Sequence, residues 1–73
     1  VISVDTSVVV RYLVGTPAGQ AKLAAKLLEG DVEIAVSLVV IAETAHVLRT
    51  FYRVPREQIV DVLLDLLSKG NVT

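Results

Sequence analysis

Short apolar runs alternating with helical patterns constrain this chain more than any other feature. Residues 1–4 and 32–36 are mostly apolar, the first run ending at Asp5 and the second at Ser37. Each has the length and composition of a buried strand. Between them, Thr16-Pro17 opens a helical pattern with proline at the first helical position, where its missing N–H costs nothing. Leu23, Ala24, Leu27 and Leu28 recur on one face of that helix, Lys22 and Lys26 face water, and Gly30 ends it. Ser37 is placed to cap a long helix running to about Tyr52. Pro55 opens the last helix, in which Ile59, Leu63, Leu66 and Leu67 form an apolar stripe before Lys69-Gly70. Residues 8–14 are ambiguous, because the run Val8-Val9-Val10 also suits a strand. The capping hydroxyls of Thr6 and Ser7 before them and Gly15 after them favour a helix. A further strand begins at Val72-Thr73. The predicted order is β-α-α-β-α-α-(β), an α/β chain whose parallel sheet is covered by helices.

The chain has 73 residues, enough for one small domain, and such a domain buries only part of its unfolded surface. Two or three short strands leave sheet edges open, and the chain starts without methionine. Both features read as the N-terminal part of a longer single domain. Hydrophobic residues make up 53%, an excess that calls for cover by a partner or by further sequence. The longest uncharged runs, residues 12–21 and 34–42, fall far short of the ~20 residues of a membrane span. No signal peptide fits either, since Asp5 precedes the apolar stretch and Arg11 interrupts it. The absence of cysteine excludes disulfides and thiolate metal sites and fits a reducing cytoplasm. A net charge of −1 supplies no general basic field for nucleic acid, so RNA contact requires a local patch or a bound cation.

Two acids stand out as candidates for chemistry. Asp5 lies where the first strand ends, the edge at which open parallel sheets build their sites; it is equally well placed as a helix cap. Glu43 is the only formally charged residue between Leu38 and Leu48. Either that helix is buried and the glutamate is compensated by a base, a proton or a cation, or a narrow polar edge carries it into solvent. Mg²⁺ and Mn²⁺ prefer carboxylate oxygens gathered from several elements. Asp5 and Glu43 are therefore expected to lie within about 8 Å of each other. Glu57, Asp61 and Asp65 share one helical face, which reads as a solvated surface. His46 reads as a surface or satisfied histidine, and Arg49, Arg53 and Arg56 form a small basic group.

The opening Val4-Asp5-Thr6-Ser7 followed by Val8-Val9-Val10-Arg11-Tyr12-Leu13 resembles the start of PIN domains. Val36-Ser37-Leu38 ahead of Glu43, then Val47-Leu48, Tyr52, Pro55, Ile59 and residues 63–67, resembles the middle of the VapC-type toxins of toxin–antitoxin pairs. The likeness runs in order along the whole chain. It implies a partial three-layer α/β/α sandwich around a parallel sheet, with residues 1–73 as the N-terminal part of one PIN domain. It further implies Mg²⁺- or Mn²⁺-dependent hydrolysis of RNA phosphodiesters, with Asp5 and Glu43 as the catalytic and metal-binding acids and Thr6 and Ser7 in support. A homodimer and a cognate antitoxin are the implied partners. Members of the family carry further aspartates in their second half, and the 73 residues alone are expected to be inactive without them. The alternative is a non-catalytic PIN-like interaction or dimerisation module.

Overall fold

A computed structural model of the chain describes residues 1–16 and 18–73. Its elements are β1 (Ile2–Ser3), α1 (Thr6–Val14), α2 (Ala18–Leu28), β2 (Ile34–Ala35), α3 (Leu38–Thr50) and α4 (Arg56–Leu67). The expected β-α-α-β-α-α order is observed. β1 and β2 pair in parallel, with Ile2 opposite Ile34 and Ser3 opposite Ala35. Val72 makes a parallel bridge to the other side of Ile34, secured by Ile34 N donating to Asn71 O and Thr73 N donating to Ile34 O at 2.8 Å. β2 thus lies between β1 and the chain end, so the strand expected at Val72-Thr73 is present as a single bridge.

The sheet is short, and helices supply most of the core. Val4, Val9, Leu28, Ile34, Leu66 and Val72 form one buried cluster that joins the sheet to α1, α2 and α4. Leu48, Ile59 and Leu63 form a second cluster between α3 and α4, and Leu13 of α1 packs against both. Burying side chains of this size contributes about 1.5–3 kcal/mol each, which offsets the entropy of ordering a small chain. Gly15 ends α1 in the left-handed conformation, φ 83°, and its N–H donates to Arg11 O. Ser37 caps α3 by accepting from Val40 N, as its position before the helical pattern implies.

Several expectations change. Residues 8–14 are helical, but the cap of α1 is Asp5, whose extended backbone lets its carboxylate accept from Val8 N; Thr6 and Ser7 fall inside the helix instead of capping it. The second strand is shorter than residues 32–36, because Val32 and Glu33 lie at the exposed turn and only residues 34 and 35 pair with β1. Leu23 is exposed although it shares the apolar face of α2 with buried Ala24 and Leu28. Pro17, expected to start α2, lies outside the described residues. α3 is not apolar all round in its packing, since Leu38 is 87% exposed and Val39 66%. No helix among the described residues is long and apolar enough to cross a membrane.

Candidate active site

Because β1 and β2 run in parallel, their C-terminal ends share one edge, and α1 and α3 both start there. Val4 turns inward to the core, which leaves the next residue, Asp5, exposed at that edge. Its Oδ1 takes two hydrogen bonds, from Ser7 Oγ at 2.7 Å and from Val8 N at 3.2 Å. These donors hold the Asp5 carboxyl below the ordinary 3.8, the Ser7 hydroxyl contributing most, with Val8 N–H next and Arg11 adding a minor charge effect. A carboxylate that accepts such bonds is favoured in its charged form. Asp5 is therefore both the helix cap and an anion.

Glu43 arrives from α3, in the second turn after Ser37. It is exposed, which decides between the two sequence readings: the polar edge of the helix carries it into solvent, and burial forces no compensation on it. Its position is still fixed. Thr6 Oγ1 donates to Glu43 Oε1 at 2.7 Å, a contact between side chains 37 residues apart that crosses from α1 to α3. Thr6 directly follows Asp5 in the chain, so this bond ties Glu43 to the residue next to the first acid. Ser7 supports Asp5 and Thr6 supports Glu43, an allocation that the tripeptide Asp-Thr-Ser does not reveal on its own.

Among the described residues, the side-chain hydrogen bonds fall on Asp5 Oδ1 and Glu43 Oε1, and the Ser7 N–H also favours the charged Asp5 carboxylate. Beside Glu43, Thr44 is fully buried and its hydroxyl has no hydrogen-bond partner. His46 is exposed, and so are Glu57, Asp61 and Asp65. Among the described residues, no group of three or more His, Cys, Asp or Glu is arranged to hold a metal ion.

The profile of the PIN domain family matches residues 2–73. The chain belongs to the PIN domain family. No curated protein and no solved structure matches it. PIN domains are typically metal-dependent nucleases and usually use divalent ions. In this PIN domain the carboxylates of Asp5 and Glu43 fit such an ion in kind, because hard divalent cations take oxygen ligands and retain waters. Two carboxylates would supply only part of the shell such an ion takes. Sequence reasoning missed the role of Thr6 as the link between the acids. The only signal for it is a hydroxyl directly after Asp5, and that signal is shared with ordinary helix starts.

Proposed function

We propose that this PIN domain serves a Mg²⁺- or Mn²⁺-dependent endoribonuclease of the VapC type, the toxin of a toxin–antitoxin pair, acting in the cytoplasm. Asp5 and Glu43 are its acidic residues, with Ser7 and Thr6 holding them in place. The observation that supports this reading is the Thr6–Glu43 hydrogen bond, which ties the second acid to the residue that follows the first. A structural cap needs Asp5 alone; it has no use for a glutamate tethered to the following residue.

Each residue has a definable task. Ser7 and the α1 N-terminus keep Asp5 ionised at neutral pH, as hydrogen-bond donors and a helix N-terminus do for an anion. Thr6 restricts Glu43, so its carboxylate is presented at the edge without a search among rotamers. Asp5 and Glu43 would help hold a divalent cation, which would supply a water of lowered pKa and charge stabilisation at the phosphoryl group. Without that cation the two carboxylates repel a phosphodiester.

The partners implied by the family are RNA, a cognate antitoxin and a second copy of the chain. The exposed Leu38, Val39 and Phe51, the last 71% exposed, favour association of some kind. They also sustain the second reading, a non-catalytic interaction module. The two separate in one experiment on the full-length protein that carries the family's further aspartates: single-stranded RNA is incubated with it in Mg²⁺, in Mn²⁺ and in chelator, beside its Asp5→Asn variant. Asparagine retains the cap but loses the charge. Metal-dependent cleavage that vanishes in a folded Asp5→Asn protein is expected. Cleavage at the same rate by both proteins refutes the assignment, and absence of cleavage by the unsubstituted protein favours the module.

A further inference from the structure

A cleft of about 360 Å³ between α3 and α4 gathers three residues that sequence reading left as a surface group and a lone histidine. His46 and Arg49 of α3 and Arg56 of α4 line it, over a floor that includes Ile59 and Leu63. Both floor residues are buried in the second core cluster, so the walls stand on a packed base. Glu43, His46 and Arg49 follow at three-residue steps and are all exposed. At 1.5 Å of rise per residue, His46 lies about 4.5 Å and Arg49 about 9 Å along the helix axis from Glu43. None of the side-chain hydrogen bonds among the described residues engages either guanidinium. Glu57 and Asp61 do not line this cleft; they line a neighbouring depression that shares Arg56 and Val60 with it.

We infer that this cleft seats a backbone phosphate of a single-stranded RNA, outside the bond that is cut. The inference rests on the ribonuclease reading and extends it along the substrate. A pair of acids at the sheet edge repels a polyanion, and the chain has a net charge of −1, so the attraction for RNA has to be local. Arg49 and Arg56 approach one volume from two helices, and guanidiniums match phosphate oxygens with paired N–H donors. His46 adds a hydrogen-bonding group between them and Glu43. A contact of this kind sets the register of the strand and carries no base preference. It predicts weak dependence on sequence at the nucleotide it holds.

The test uses the same full-length protein and a labelled single-stranded RNA, with binding followed by fluorescence anisotropy across a salt series. The Asp5→Asn background prevents cleavage. Substituting Arg49→Gln and Arg56→Gln together is expected to weaken binding roughly tenfold at low salt. The slope of log affinity against log salt should fall by about 0.7, the value for one single-strand phosphate. Arg49→Lys with Arg56→Lys should retain the slope while recovering part of the affinity, which separates charge from fold damage. With Asp5 intact, KM should rise in the Gln protein more than kcat falls. Unchanged affinity and slope in a Gln protein that melts like the parent overturn the inference. So does a polyglutamate peptide that competes as well as unlabelled RNA, because the cleft then accepts acidic protein. If RNA is bound through these arginines but never cut, the ribonuclease reading fails and the cleft stands. If RNA is cut and the arginines are irrelevant to its binding, the reverse holds.

Discussion

The two ends of the small sheet use polar residues in opposite ways. At the end where the strands finish, hydroxyls donate to carboxylates: Ser7 to Asp5 and Thr6 to Glu43. At the end where the strands start, polar groups close on the structure itself. Asn71 Nδ2 donates to Leu28 O at 3.0 Å and to Val32 O at 3.2 Å, tying the chain end to the turn after α2. Tyr12 donates its hydroxyl to Glu29, and Lys69 lies over the Tyr12 ring, 5.6 Å from its centre. There the Asn71 amide satisfies two backbone carbonyls, one of them partly buried, and Tyr12 holds the Glu29 carboxylate. The other end holds two acids through the consecutive hydroxyls of Thr6 and Ser7 and has no such clamp on backbone carbonyls among its side-chain bonds.

Substitutions at the two ends should therefore separate activity from stability. The largest effect is expected from Glu43→Gln. The amide oxygen still accepts from Thr6, so the melting temperature should barely move, while RNA cleavage falls about 100-fold or more through lost charge and placement. Single-turnover rates of the full-length protein measure it, and a Glu43→Gln protein that cuts normally would reduce the site to Asp5 alone. Next comes Asn71→Ala at the opposite end. Two carbonyls lose their donor, and urea unfolding should show a loss of about 1–3 kcal/mol. The cleavage rate per folded molecule should stay the same.

Thr6→Val falls between these cases. It frees Glu43 to sample other rotamers, and a drop of roughly tenfold in rate is expected with a stability change of about 1 kcal/mol or less. If the rate is unaffected, Glu43 does not need its tether. The smallest effect distinguishes the two ends by pH. Asp5 is held below its ordinary value, so its contribution to stability is present above 3.8 and is lost as pH falls through the folded value. Lys69 is shifted the other way, raised mainly by the Tyr12 hydroxyl with help from Glu29 and Asp65. Its contribution is present below 10.5 and is lost as pH rises through the higher folded value. Thermal melts across the pH range should lose part of their acid slope in Asp5→Asn and part of their alkaline slope in Lys69→Gln.

The alternation of strands and helices was legible because it depends on local signals: Ser37 before an apolar helix, Gly15 after α1, and the stripe of Ile59, Leu63 and Leu66. What the sequence did not reveal depends on where the small core ends. Leu23, Leu38 and Val39 carry the same apolar side chains as buried neighbours, yet two short strands leave no layer to cover them. For the same reason the apolar setting of Glu43 in the chain did not translate into burial. Asp5 was readable as cap or acid, and the structure makes the cap a fact without removing the acid. The partner of Thr6 was not readable at all, since it depends on how α1 and α3 dock.

That docking gives the corner a place in the order of folding. The Thr6–Glu43 bond closes a separation of 37 residues. Local turns and helices form faster than contacts of this span, which must first meet the entropy of loop closure. A species with α1 and α3 formed but not yet packed has both acids and no fixed relation between them. The paired arrangement thus belongs to the native ensemble alone, and its appearance reports the final consolidation of the chain. Any opening that parts α1 from α3 dissolves the corner before either helix melts.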